Sequence, residues 1–132
     1  MNLGQFLDPK VQKKIALALV SEQAAEIVDG VPLDEVGEVL QALAGDYPEW
    51  ESRISEKYWF FGEEDFETAK EAFPVQFETY QKALRSIYGL IKEELGTRAE
   101  YFQDRVRHVL EKLVSQEPAV ANSKKIDRGL TR

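Results

Sequence analysis

The sequence contains no cysteine, one histidine and one methionine in 132 residues. Without cysteine there can be no disulfides, no thiolate nucleophile and no cysteine-based zinc or iron–sulfur site. This fits a reducing compartment. A lone histidine, His108, also makes acid–base chemistry hard to stage, since a hydrolase triad joins a nucleophile, a base and an orienting acid. A di-iron bundle needs Glu-x-x-His on each of two helices, and one histidine cannot supply both. Asp104 and Glu111 lie near enough in sequence to partner His108. Arg105 and Arg107 beside it make a solvated helix face the simpler expectation.

Glycine-rich phosphate loops are missing too. Gly30, Gly37, Gly45 and Gly62 stand alone, as helix stops or interior positions. No apolar run approaches the roughly 20 residues that a spanning helix needs. Met1 to Leu7 carries neither the basic start nor the apolar core of a secretion signal. These features lead us to expect a cytoplasmic protein, or a viral one assembled in cytoplasm, with no membrane partner.

What the chain does have is charge and helical periodicity. Hydrophobic residues make up 43% and charged residues 31%, an ordinary globular balance. The formal net charge is −7. Such a surface repels phosphate backbones and anionic lipid. The length suits one domain.

From Phe73 to Leu95 the apolar residues are Phe73, Phe77, Tyr80, Leu84, Ile87, Tyr88, Ile91 and Leu95. Steps of three and four put them on one stripe of a helix that must lie against others. Before it, Asp8-Pro9 opens a long helix with a broad apolar face: Val11, Ile15, Leu17, Leu19, Val20, Ala24, Ile27 and Val28. We expect that helix to be buried on two sides. Lys10, Lys13 and Lys14 sit at its wrong end for cations by the dipole rule, unless an acidic neighbour meets them. Leu33–Ala44 reads as a shorter helix, and another begins near Pro48 with Asp46 or Tyr47 as its cap. That one carries Trp50, Ile54, Tyr58 and Phe61. Glu63, Glu64 and Asp65 are expected in the first turn of a short helix ending before Pro74. Together with Glu67 they form the densest acidic cluster, but the spacing is not that of a calcium loop.

Gly96 is expected to end the central helix, and Thr97 and Glu100 to form a capping box for a last helix to Ser115. One continuous helix through Gly96 is the alternative. The fold expected is all-α: a single-domain bundle of five or six helices over 1–116, its long central helix packed antiparallel on the C-terminal one. Residues 117–132 read as a flexible basic tail.

No catalytic, cofactor or metal set is assigned. Leu33–Ala44, Gly45-Asp46-Tyr47-Pro48 and the helix from Glu49 outline a helix-turn-helix, yet Glu49, Glu51 and Glu56 would face DNA. Ten of the fourteen aromatic residues lie between Tyr47 and Tyr80. They are either core or, at Tyr58, Trp59, Phe60 and Phe61, anchors for a partner. The expected function is a non-enzymatic interaction or assembly module. It would self-associate or join a larger complex, such as a viral particle or nucleoprotein machine. A nucleic-acid-associated regulator using Lys124, Lys125, Arg128 and Arg132 is the alternative, and a small-ligand-binding bundle the third.

Overall fold

In the computed structural model, residues 1–116 are described; the proposed basic tail, with Lys124, Lys125, Arg128 and Arg132, lies outside them. The described residues form α1 (Leu3–Phe6), α2 (Pro9–Gly30), a 3-10 turn (Leu33–Glu35), α3 (Val36–Ala44), α4 (Tyr47–Lys57), α5 (Phe66–Ala72) and α6 (Pro74–Gln116). The fold is an all-α bundle, and α6 packs against all the larger helices.

Local chemistry sets most boundaries. Asp8 accepts from the Lys10 amide at 2.9 Å, and Pro9 follows at the first helical position. Asp46 caps α4. The end of α3 leaves carbonyls without helical partners. Trp50 Nε1 donates to the Leu43 carbonyl at 3.0 Å, and the Tyr88 hydroxyl donates to that of Ala44 at 2.6 Å.

Pairings along α6 fix direction. Ser86 meets Gln12, and Arg98 meets Ser21, so α2 runs alongside α6 in the same sense. Gly37 lies against Ala99 and Gln103, Ala44 at Tyr88, and Tyr58 at Tyr80, so α3 and α4 run the opposite way. A Cβ on Gly37 would sit 2.8 Å from Gln103 Cγ and 3.2 Å from the Ala99 carbonyl oxygen. The absent side chain lets α3 approach α6 closely.

The core is a seam down α6. Phe77, Tyr80, Leu84, Ile87, Ile91, Leu95 and Ala99 are buried there against Ile15, Leu19, Val20, Val36, Leu40, Trp50 and Ile54. Gln12 is the buried polar side chain of the described residues. Its Nε2 donates to the Phe6 carbonyl, and its Oε1 accepts from Ser86. It thereby ties α1, α2 and α6 together with its hydrogen bonds satisfied.

Several expectations need correction. There is no separate C-terminal helix packed antiparallel on a central one, because 74–95 and 97–115 are a single helix. Thr97 does not cap. Its hydroxyl donates to the Glu93 carbonyl one turn back, inside the helix. Leu95 and Ala99 are both fully buried on one face, and a break at Gly96 would lift Ala99 off α3. That packing outweighs the roughly 1 kcal/mol intrinsic cost of an interior glycine.

α4 ends at Lys57, so Tyr58 to Phe61 are not helical. Gly62 then turns the chain at φ 65°, a left-handed conformation that side chains disfavour. α5 begins at Phe66, with Asp65 as its cap rather than in its first turn. α2 is not covered on two sides: Leu17 and Val28 are exposed. Lys10, Lys13 and Lys14 pair with no carboxylate among the described residues.

Nothing lies within 4 Å of a Cβ built on Gly96. Gly96→Ala should therefore stabilise the protein by about 0.5–1 kcal/mol, read as a higher urea midpoint. A loss of stability would mean that α6 is broken there.

Candidate interaction surface

The apolar stripe of α6 does not stop where the bundle stops. Beyond Leu95 it continues through Ala99, Phe102, Val106, Val109 and Leu113, at steps of three and four. Ala99 is buried, Phe102 and Val106 are half-buried, and every residue from Arg107 to Ser115 is exposed. The last two and a half turns thus project from the body, about 13 Å at the usual helical rise. Val109 is 43% exposed, and Leu110 and Leu113 are 55% exposed each.

Neighbouring elements extend this patch. Leu33, in the 3-10 turn, is 46% exposed and lines a shallow groove with Asp34, Val106, Val109 and Leu110. A second shallow depression joins exposed Val28 near the end of α2 to Phe102 and Arg98. Scattered exposed apolar residues are ordinary, but a contiguous set on one protruding element marks a contact surface.

Charge borders the stripe unevenly. Arg98, Arg105 and Lys112 follow at intervals of seven along one edge. Arg98 is engaged by Glu94 at 3.5 Å and by the Ser21 hydroxyl at 3.2 Å. Arg105 and Lys112 pair with no carboxylate among the described residues. Arg107 reaches Asp104 and Glu111 on the far side of the helix.

The aromatic block has a different fate. Phe61 is buried, and Tyr58, Trp59 and Phe60 are half-buried. Trp59 packs against Phe61, Phe66, Phe77 and Tyr80, with ring centroids 5.2–6.4 Å apart. Phe60 stands against Phe6 and Tyr80, and Tyr58 against Phe6. These rings close the end of the bundle away from the projecting tip. Phe6 was the unforeseen member. Asn2 and Gln5 form a reciprocal capping box that holds α1 and buries Phe6 completely. Asn-x-x-Gln at Asn2–Gln5 is the sequence signal that points to it.

Other candidates do not assemble. His108 is exposed, and the depression beside it is lined by residues of α6 alone, so no second element among the described residues faces it. Among the described residues no three metal-ligating side chains converge. Asp65 of the acidic cluster accepts from the Thr68 amide at 2.8 Å, and that bond lowers its carboxyl pKa. No helix of the described residues is long and apolar enough to cross a membrane.

The strongest electrostatic perturbations are structural. Burial pushes the Tyr80 phenol well above its ordinary value, with the nearby Glu51 carboxylate adding to the shift. The Tyr80 hydroxyl donates to the Tyr58 carbonyl, fixing the chain where it leaves α4. Tyr47 is raised to about 12, first by burial and then by its hydrogen bond to Glu51.

The sequence matches no protein-family model, and neither a curated protein nor a solved structure is significantly similar to it.

Two outcomes should follow. Trp59→Ala should lower stability by about 3 kcal/mol, as loss of a packed aromatic does, whereas Val109→Ser with Leu113→Ser should leave the melting temperature unchanged. Thermal unfolding of both variants checks this. A folded-state pKa raised above 10.0 at Tyr47 favours the fold below that pH and is lost as pH rises through about 12. Tyr47→Phe should therefore flatten the fall in stability between pH 10 and 12, measured by urea unfolding.

Proposed function

We propose that this protein is a non-enzymatic protein-interaction module whose partner docks on the projecting end of α6. The observation that carries this reading is the uncovered stripe itself. A helix end with no tertiary cover is marginal in water, because most helical stability in proteins comes from packing an amphipathic face. Here that face is laid out in register with the buried seam and left open by the described residues. Burying a leucine or valine side chain contributes roughly 1.5–3 kcal/mol. The set Val109, Leu110 and Leu113, with Leu33 beside it, is enough to anchor a specific contact of modest size.

On this reading the docking surface lies away from Tyr58, Trp59, Phe60 and Phe61, whose rings pack largely on their neighbours. Those aromatics hold the far end of the bundle together and act on the surface only by keeping the fold intact. A small-ligand role finds less support, since the grooves at the tip are shallow and open. A role in a larger assembly is compatible with a module of this kind, whether the assembly is a viral particle or a cellular machine.

Tagged wild-type protein and the double variant Val109→Ser, Leu113→Ser should be compared in the cells that make it. The wild type should retain a stoichiometric protein partner, or a second copy of itself, that the folded double variant loses. If both retain the same partners in the same amounts, the tip of α6 is not the docking surface.

A further inference from the structure

Building on that reading, we infer that the stripe at the tip of α6 takes an amphipathic helix of another protein, one whose apolar face is bordered by carboxylates along one edge. The inference comes from how charge is laid out around the stripe.

Arg98, Arg105 and Lys112 form one edge at intervals of seven, the spacing at which flanking charges choose a partner helix. Arg98 is already held by Glu94 and Ser21 at the margin of the body. Arg105 and Lys112, further out, form no ion pair among the described residues, and Asp29 in the depression beside Arg98 and Phe102 is a carboxylate that the surface offers near this edge. Their counterparts are thus left for the partner to supply. The other edge carries Gln103 and Leu110, with Asp34 in the groove beside Leu110, so the partner's carboxylates belong on the Arg105 and Lys112 edge alone. The carboxylates of this part of α6 do not compete: Asp104 and Glu111 lie on the opposite side with Arg107.

The same layout disfavours a second copy as the occupant. Two copies paired antiparallel along this stripe would bring like edges together, with Arg105 and Lys112 of one protomer against the same pair in the other. Like charges juxtaposed across an interface reject a partner. A parallel pair would avoid that clash but lay the two bodies side by side. Residues 1–96 hold nineteen carboxylates against nine lysines and arginines, an excess of ten negative charges per body. A membrane surface is disfavoured by that same charge, since an anionic lipid layer would face an acidic bundle.

The test uses the full chain and two synthetic helix-forming peptides with the same leucine stripe. One has glutamates along one edge of that stripe and the other has lysines there. The glutamate peptide should bind about tenfold more tightly at low salt, with the advantage shrinking as salt is added. It should shift the amide resonances of Val106, Val109, Leu110 and Leu113. Arg105→Glu with Lys112→Glu should reverse the preference. Val109→Ser with Leu113→Ser should abolish binding of both peptides, while circular dichroism shows each variant still folded.

Equal binding of the two peptides, or preference for lysine, would overturn the inference. So would shifts at these residues on adding vesicles of equal parts phosphatidylserine and phosphatidylcholine. A concentration-dependent dimer in light scattering, lost on Leu113→Ser, would also overturn it while leaving the docking role of the tip intact. No response to peptides, vesicles or concentration would remove both.

Discussion

Everything in this molecule leans on one apolar line along α6. Phe77, Tyr80, Leu84, Ile87, Ile91, Leu95 and Ala99 lie on it, all buried. α2 covers one flank in parallel, while α3 and α4 cover the other in the opposite sense. Short-linked neighbours in sequence would stack up and down by default. Here the longest helix instead serves as a common spine. That is why α5, α4 and the 3-10 turn each make their main contacts with α6 rather than with one another.

The two ends of the spine are finished differently. At one end, rings crowd around Tyr80, drawn from α1, from the irregular segment after α4 and from α6 itself, with Phe66 of α5 backing Trp59 and Phe77. Aromatic contacts of this kind add to burial through edge-to-face and offset geometry. At the other end no described residue covers the line beyond Val106, and it runs on exposed. One pattern of threes and fours therefore serves as core for the first six turns or so and as surface after that.

Periodicity made much of this legible. The all-helical class, the helix from Pro9 and a helix opening near Pro48 could all be read from spacing and capping residues, with the cap between Asp46 and Tyr47 settled at Asp46 only by the structure. Three things could not. Continuity through Gly96 was decided by packing of Leu95 and Ala99, which a local stop signal does not register. The four residues Tyr58 to Phe61 carry no usable period, so their departure from the helix depended on the Tyr80 hydroxyl holding the Tyr58 carbonyl. Exposure is the third: Ala99, Val106 and Leu113 read alike in sequence, yet only a covering neighbour makes one core and another surface. The basic row at Arg98, Arg105 and Lys112 was visible in the letters, but its meaning depended on knowing which face stayed open.

An unbroken α6 also acts as a ruler. Tyr80 and Leu113 are separated by about 50 Å of continuous helix at the usual rise per residue. No hinge lies between them, since Gly96 sits inside regular helix. Whatever the tip grips is held at a set stand-off from the aromatic end, and at a set bearing around the rod. Adding or removing one residue in this span would swing that bearing by about 100°.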